Sequence, residues 1–331
     1  SGIERGTLPR RKARCGMQGT HGTHGLKVAI TGSSGLIGSA LVRHLRDAGH
    51  DVVEMQRGAR SDAHALWNPA EGWVREGALN GVDAVVNLGG ASIGDGRWTA
   101  QRKQVLRDSR IEGTRVLVDH MREHGVRPGV FIQGSGVDYY GNRGEERLDE
   151  SAAAGSNFLS QLVLDWEAEG QRAADLGVRV VFARTSFVID REAPAFKRLV
   201  MPIKFGVGGP LGSGRQWFPW IHLEDEVRAL AFLLTADVSG PVNIAAPETV
   251  TNTGMTKALG SVLKRPTLMP VPGFALKLLL GEMAQVLLLD SKRIVPQVLA
   301  DAGFEWTYPT VDAAVREATG KAMPRTVDVA R

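Results

Sequence analysis

One stretch decides the fold of this chain: Leu26-Lys27-Val28-Ala29-Ile30-Thr31-Gly32-Ser33-Ser34-Gly35-Leu36-Ile37-Gly38. Its apolar start, residues 26–30, predicts a short buried strand of a parallel sheet. Its glycines form a G-x-x-G-x-x-G pattern, and the segment behind them predicts a helix that ends at Gly49. A second strand, predicted over 51–55, completes a strand–turn–helix–strand unit of about 30 residues, the length of a crossover unit.

The same alternation continues along the chain. Further strands are predicted over 83–88, 130–133 and 178–182, with a helix over 157–174 before the last of them. Such alternation predicts an α/β fold with an open, mostly parallel sheet and helices on both faces.

The pattern changes after about residue 190. Residues 204–219 are rich in Gly and Pro without any period, which indicates a functional loop or a substrate lid. Beyond it the predicted elements are helical, over 255–263, 274–289, 291–302 and 311–318.

Composition and charge exclude several classes of protein. The chain has 331 residues, 43% hydrophobic and 23% charged, which is ordinary for a globular protein. Residues 1–26 carry five basic side chains against one acidic, which accounts for the whole net charge of +4. Because the basicity belongs to one short segment, we expect no nucleic-acid partner. A single cysteine, Cys15, fits a reducing compartment, so a cytoplasmic location is expected. No apolar run is long enough to span a bilayer, so no membrane partner is expected.

The predicted organisation has three parts. Residues 1–25 form a flexible basic tail, in which His21 and His24 lack the further ligands that a metal site needs. Residues 26–190 form a nucleotide-binding domain, to which the chain returns near 221–246. Residues 191–220 and 247–331 form a smaller, mainly helical substrate domain.

The glycine pattern has a chemical interpretation. A strand, a glycine turn and a helix N-terminus together hold a pyrophosphate group, because the backbone N–H groups of the helix point at it. Gly32 would allow the tight turn, Gly35 the approach of the phosphates, and Gly38 close packing of helix on strand. A glycine-rich turn without a ligand is the alternative.

The end of the second strand selects the cofactor. NAD-binding proteins usually carry an acidic residue there, which binds the ribose hydroxyls. This chain has Gln56 followed by Arg57, with Glu54 two residues earlier. Because Arg can pair with a 2′-phosphate, the sequence predicts NADP(H), unless Arg57 is simply a solvated surface charge.

These features resemble the extended short-chain dehydrogenase/reductases. Further motifs resemble one atypical branch, the epimerase family of the SDR39U1-like and YfcH-like type. They are Asn87-Leu88-Gly89-Gly90-Ala91, Arg97-Trp98, Ser109-Arg110, Tyr139-Tyr140-Gly141, Asp165-Trp166-Glu167, the segment from Gly208 to His222, Ala246-Pro247-Glu248, Gly281-Glu282-Met283 and Ala302-Gly303-Phe304.

This resemblance covers about residues 27–320 and implies a Rossmann-type doubly wound parallel sheet with a C-terminal helical segment. It also implies NADP(H) binding, but it supplies no substrate. The predicted cofactor-binding residues are Gly32, Ser33, Ser34, Gly35, Leu36, Ile37, Gly38, Arg57, Leu88, Gly89 and Gly90.

Catalysis is where the chain departs from the superfamily. Its enzymes use a Tyr acid–base with a Lys four residues later, and none of the three Tyr here has that Lys. Leu159 and Val163 align with the two positions. The remaining catalytic candidates are Ser135, Tyr140 and His222. Each has a purely structural alternative. Ser135 would be a turn hydroxyl, with Gly136 at the usual Ser position. Tyr140 would be a packed ring, and His222 would be a core histidine.

The predicted substrate residues are Tyr139, Arg215, Trp217 and Trp220, with Arg215 expected in a cleft near Ser135 and Tyr140. Two functions follow. One is an NADP(H)-dependent oxidoreductase or epimerase-like enzyme, acting on an unknown small molecule without the Tyr–Lys pair. The other is an NADPH-binding sensor or scaffold without chemistry. Whether the chain forms a homodimer is left open.

Overall fold

A computed structural model describes residues 25–58 and 66–321, and its strands alternate with helices as expected for an α/β protein. The strands are β1 Lys27–Thr31, β2 Asp51–Arg57, β3 Leu66–Asn68, β4 Trp73–Val74, β5 Ala84–Asn87, β6 Val130–Gly136, β7 Arg147–Leu148, β8 Arg179–Thr185, β9 Phe187–Ile189, β10 Trp217–Phe218, β11 Trp220–His222, β12 Gly240–Ile244, β13 Val250–Thr251 and β14 Arg293–Ile294. The helices are α1 Leu36–Asp47, α2 Ala100–Glu123, α3 Phe158–Gln171, α4 Pro194–Lys204, α5 Leu223–Leu233, α6 Asn252–Leu263, α7 Gly273–Leu280, α8 Glu282–Ala284, α9 Gln297–Asp301 and α10 Val311–Ala318.

Eight of these strands form one sheet, in the order β12-β8-β6-β5-β1-β2-β3-β4. Its pairs are parallel except β3 with β4. The strand order reverses direction beside β1, and in such sheets ligands bind beyond the carboxyl ends of the strands at that point. The doubly wound α/β fold predicted from the sequence is therefore confirmed.

The central strands are apolar because both faces of the sheet are covered. One buried cluster joins β1, β6 and β12 to α1 and α5. A second lies on the opposite face, between the sheet and α2. A third surrounds α4, α6 and α10, outside the sheet, and forms a separate core for the C-terminal half.

Two helix predictions in that half need correction. The helix expected over 274–289 is interrupted at Gly281, whose φ of 67° ends α7. The helix expected over 291–302 is wrong in its first half, where β14 pairs with β7 in parallel. Pro296 explains the second error, because proline disfavours helical backbone at the residue before it, and the helix begins only at Gln297.

The predicted tail, with Cys15, His21 and His24, lies outside the described residues. Among residues 25–58 and 66–321, no helix combines the length and the apolar character that a bilayer crossing requires.

Candidate cofactor cleft and catalytic region

A cleft of about 490 Å³ opens where β1, β2 and β5 end. Its walls contain eight of the predicted cofactor-binding residues. The lining comprises Gly32, Ser33, Ser34, Gly35, Glu54, Met55, Gln56, Arg57, Trp67, Pro69, Leu88, Gly89, Gly90 and Ser109. The remaining predicted residues, Leu36, Ile37 and Gly38, form the first turn of α1 behind the glycine loop.

The glycine loop is shaped by contacts that only glycine permits. Gly32 has φ +68°, and a Cβ there would lie 2.8 Å from the carbonyl oxygen of Leu88. A Cβ on Gly38 would lie 2.1 Å from the carbonyl oxygen of Gly32. Gly35 precedes α1 and provides no side-chain cap. The N–H groups of the first helical turn therefore remain available to an anion.

Arg57 ends β2 and is exposed on the wall of this cleft. The nearest acidic side chain on the strand, Glu54, accepts a hydrogen bond from Arg46 at 2.9 Å. That ion pair offsets the charge of Glu54 and leaves Arg57 as the cationic group of the wall. The arrangement suits an anionic substituent on the bound ribose.

A buried polar network that was not predicted from the sequence supports the floor of the cleft. Thr31 donates to Asn87 at 2.6 Å and accepts from the Gly89 N–H at 3.0 Å. The Asn87 amide donates to Thr114 at 3.0 Å and to Gln133 at 3.1 Å. Polar residues at the ends of apolar strands were the available signal. The network fixes the ends of β1 and β5 and the middle of β6 relative to α2.

The catalytic candidate Ser135 lies in a second network at the end of β6. Its hydroxyl donates to Glu167 Oε1 at 2.6 Å. Arg184 holds the same carboxylate with two hydrogen bonds, 2.8 Å from Nε and 2.7 Å from Nη2. Burial alone would lower the pKa of Arg184, but the bonds and charge of Glu167 outweigh it and raise that pKa. Arg184 therefore stays protonated at any ordinary pH.

Tyr140 belongs to the same network and is completely buried. Its hydroxyl donates to Asn243 Oδ1 at 2.7 Å and accepts from Arg184 Nη1 at 3.0 Å. Burial raises the pKa of Tyr140 to about 12. A buried hydroxyl with both partners in place is a packing group, so the structure argues against Tyr140 as the acid. Tyr139 is half-buried, and the centroid of its ring lies 3.5 Å from the guanidinium carbon of Arg184.

The two positions aligned with the superfamily's Tyr and Lys are closed by apolar packing. Leu159 is 1% exposed and Val163 is 5% exposed. Leu159 packs with Trp98, Leu106 and Met283. No proton can be transferred from either side chain.

His222 has a structural role at the N-terminus of α5. Its Nδ1 accepts from the Glu224 N–H at 3.2 Å, and its Nε2 lies 2.8 Å from Glu317 Oε2. Its ring centroid is 4.0 Å from that of Tyr308. These partners belong to the C-terminal half, and none is shared with Ser135 or Tyr140. The core-histidine alternative fits this environment.

Two of the predicted substrate residues, Trp217 and Trp220, line one small cavity, whereas Tyr139 and Arg215 are not part of its lining. Trp220 is 1% exposed and donates to the Glu248 carbonyl at 3.1 Å, and the cavity that it lines with Trp217 is only about 10 Å³, room for a water molecule but not for a substrate. Trp217 is half-buried, donates to Glu145 at 2.7 Å and lies under Arg293. Arg215 is exposed and absent from the cleft wall, and in the described part of the chain its one hydrogen bond runs from its backbone N–H to Ser213 Oγ. No hydrogen bond joins Arg215 to Ser135 or Tyr140 among the described residues, and the expected approach stays a prediction.

Taken with the strand order, the glycine cradle and its cationic wall define a nucleotide-binding α/β protein of the short-chain dehydrogenase/reductase type. A family model described as "NAD dependent epimerase/dehydratase family" matches residues 28–245, and a second, "Domain of unknown function (DUF1731)", matches residues 271–318. The chain belongs to this epimerase family, in the branch identified from its motifs.

Named relatives support the assignment over nearly their whole length. The epimerase family protein ML0860 of Mycobacterium leprae is 44% identical over 294 residues, covering 88% of this chain and 95% of that protein. The epimerase family protein SDR39U1 of Bos taurus is 33% identical over 297 residues, covering 88% and 99%.

Two solved structures are similar as well. Human SDR39U1 (isoform 2), crystallised with NADPH, superposes with a TM-score of 0.82 at 29% identity, covering 90% of this chain and 100% of that one. A nucleoside-diphosphate sugar epimerase from Corynebacterium glutamicum superposes with a TM-score of 0.74 at 30% identity, covering 89% of this chain and 58% of that one.

Proposed function

We propose that this protein is an NADP(H)-dependent oxidoreductase of epimerase-like type, acting on a small molecule without a Tyr–Lys pair. The observation that carries the proposal is Arg57 on the wall of a glycine-built cleft in which the nearby carboxylate, Glu54, is already paired. The crystal of human SDR39U1 with NADPH supports the same cofactor. A cytoplasmic location fits a chain with one cysteine.

The residues present fit this cofactor. The cradle that a Cβ on Gly32 or Gly38 would fill leaves room for a pyrophosphate beside the first turn of α1. Arg57 would pair with the 2′-phosphate, and the Leu88–Gly90 backbone would lie along the cofactor. When bound, NADPH supplies a hydride.

The chain supplies little help with the accompanying proton. Leu159 and Val163 are apolar and buried, and the Ser135 proton is donated to Glu167. A carbonyl substrate would therefore take its proton from water or from its own neighbouring groups. The same observation favours a second candidate, an NADPH-binding sensor or scaffold that performs no chemistry.

Cofactor choice is tested by calorimetric titration with NADPH and NADH. We expect Arg57→Ala to weaken NADPH binding by about 1.5–3 kcal/mol, the value of a charge-assisted hydrogen bond, and to leave NADH unchanged. Arg43→Ala removes the same charge from an exposed position of α1 and serves as the control. Equal affinity of the unmodified protein for both cofactors would contradict the assignment.

Chemistry is tested with NADPH deuterated at nicotinamide C4. Loss of deuterium to a panel of carbonyl compounds, followed by mass spectrometry, supports the oxidoreductase. Retention with every acceptor, despite tight NADPH binding, supports the sensor. We expect turnover of common UDP- and GDP-sugars to be absent or about 10²–10⁴-fold slow, because general acid–base help is missing.

A further inference from the structure

Exposed apolar side chains are concentrated on one part of the surface. Among the described residues, nine large hydrophobic side chains are strongly exposed, and eight of them lie in residues 201–207 and 268–279. We call these eight the apolar face: Met201, Phe205, Val207, Leu268, Met269, Phe274, Leu278 and Leu279. Concentrated exposure of this kind marks an interaction surface rather than chance.

The two segments are neighbours in space. The Val271 N–H donates to the Pro210 carbonyl, and the Gly212 N–H donates to the Val271 carbonyl, each at 2.9 Å. A Cβ on Gly209 would lie 2.2 Å from the carbonyl oxygen of Met269, so the backbones touch there. The two segments of the apolar face therefore meet at this contact.

Helix α7 forms one end of the apolar face and has an unusual composition for a surface helix. Its sequence is GFALKLLL, yet none of its residues is fully buried. Phe274 is 76% exposed and Leu278 is 78% exposed. A surface helix normally turns such side chains to the core. The apolar side chains of α7 therefore lack the apolar contact surface that such a sequence normally has.

The two chain segments that carry the apolar face have charges of a single sign. Residues 193–223 and 249–281 contain no Asp or Glu. They contain eight basic residues, Lys197, Arg198, Lys204, Arg215, Lys257, Lys264, Arg265 and Lys277. Lys197 pairs with Glu192 and Arg198 with Asp95, whereas the other six are exposed and have no ion-pair partner among the described residues.

This charge pattern decides between occupants. A second copy of the chain would bring two cationic faces together, and like charges at an interface oppose association. An anionic lipid surface complements both features, because acyl chains accept Phe and Leu while headgroups pair with Lys and Arg. We infer that the apolar face docks the protein peripherally on a membrane rich in anionic lipid.

The sequence alone predicted no membrane partner, because that expectation rested on the lack of a spanning segment. Peripheral docking needs no such segment. It needs apolar side chains and cations side by side on a folded surface, and residues far apart in sequence supply them here. The inference does not depend on the proposed chemistry, since the cofactor cleft has its own lining.

The test is co-sedimentation of the full chain with vesicles of phosphatidylcholine, with and without about a third phosphatidylglycerol. We expect binding to the anionic vesicles to be at least about tenfold tighter than to the neutral ones. We also expect it to weaken strongly at about 1 M salt, where the Debye length falls to ~3 Å.

Variants locate the binding surface. Leu278→Ser with Leu279→Ser should weaken binding to the anionic vesicles at least about tenfold, because two inserted side chains are lost. Lys264→Glu with Arg265→Glu should do the same, while Val105→Ser, at the exposed apolar residue outside the face, should change nothing. NADPH affinity and thermal unfolding of each variant establish that it is folded.

Three results would overturn the inference. The first is no binding to either kind of vesicle, which would leave an acidic protein as the candidate partner. The second is binding that all the variants retain, which would assign it to the basic residues before residue 26. The third is a dimer in light scattering that the Leu278 and Leu279 substitutions abolish, which would make the face a contact between copies.

Discussion

The cofactor cleft and the region around Ser135 lie at the same edge of one sheet and are built in opposite ways. The cleft is made of backbone and glycine, and the first turn of α1 has no side-chain cap. Around Ser135, polar side chains are paired with one another, and Leu159 and Val163 are packed away from solvent. We call the cofactor cleft the open half of this edge and the region around Ser135 the closed half. The open half is shaped to receive a ligand, whereas the closed half is shaped for stability.

The largest expected effect comes from breaking the closed half. Arg184→Met would leave Glu167 buried without its cation, which should lower the free energy of unfolding by roughly 3–5 kcal/mol. Urea unfolding at neutral pH measures it. Arg107→Met, which removes an exposed partner of Asp165, is the control and should cost at most about 1 kcal/mol. Equal losses in the two variants would show that the Arg184 pair is not the anchor of this region.

The next effect depends on pH. Glu226 is buried beside the last residue of β8, accepts from Thr185 at 2.7 Å, and its other oxygen has no partner among the described residues. Burial raises the pKa of Glu226 to about 8. The folded state therefore holds this proton more tightly than the unfolded state, so stability falls as pH rises from about 4.5 to 8.

Glu226→Gln should remove that loss. Between about pH 5 and 8 the unmodified protein should lose roughly 3 kcal/mol of unfolding free energy more than the variant does. Urea unfolding at several pH values compares the two, with Glu305→Gln as an exposed control. Parallel pH profiles for all three proteins would show that Glu226 does not titrate in this range.

A smaller effect is expected in the open half. Gly38→Ala would force a Cβ against the Gly32 carbonyl and distort the cradle, which should cost about 1–3 kcal/mol of NADPH affinity, or about 5–150-fold. Gly254→Ala, in another helix, meets nothing closer than 3.4 Å and should leave affinity unchanged. Calorimetry measures the NADPH affinity of both variants. Unchanged binding by the Gly38 variant would show that the glycine cradle is not part of the cofactor site.

The smallest effect sharpens the role of Tyr140. Tyr140→Phe removes a hydroxyl with two buried partners, so stability should fall by about 1–2 kcal/mol, and NADPH affinity should not change. Deuterium transfer from labelled NADPH, if measurable in the unmodified protein, should also survive. Loss of that transfer in a folded Tyr140→Phe variant, but not in Tyr139→Phe, would make Tyr140 a proton donor after all.

Much of this architecture could be predicted because its signals are local. The run from Leu26 to Gly38 identifies a strand, a turn and a helix within 13 residues, and eight of the predicted cofactor residues do line one cleft. Helix α10 begins and ends where its apolar period predicts. Errors occurred where long-range pairing overrode local pattern, as in β14, whose partner β7 lies about 146 residues earlier in the chain.

The catalytic and substrate residues were harder to predict for the same physical reason. Residue type showed that Ser135, Tyr140, His222 and Trp220 could act, but their availability depends on partners distant in sequence. Tyr140 is engaged by Asn243, and Trp220 by the Glu248 carbonyl. Burial and hydrogen bonding are properties of the assembled fold, so they cannot be deduced from the spacing of these residues in the sequence.

By itself, the sequence determined the class of fold, the glycine cradle, the choice of Arg57 over an acid and the absence of a Tyr–Lys pair. These are set by residue identity at positions a few residues apart, where backbone geometry and charge act directly. Only the tertiary structure decided that the Ser135 network is closed, that Glu226 is buried without a cation among the described residues, and that the two segments of the apolar face meet. Each of these depends on which surfaces the folded chain brings together and removes from water.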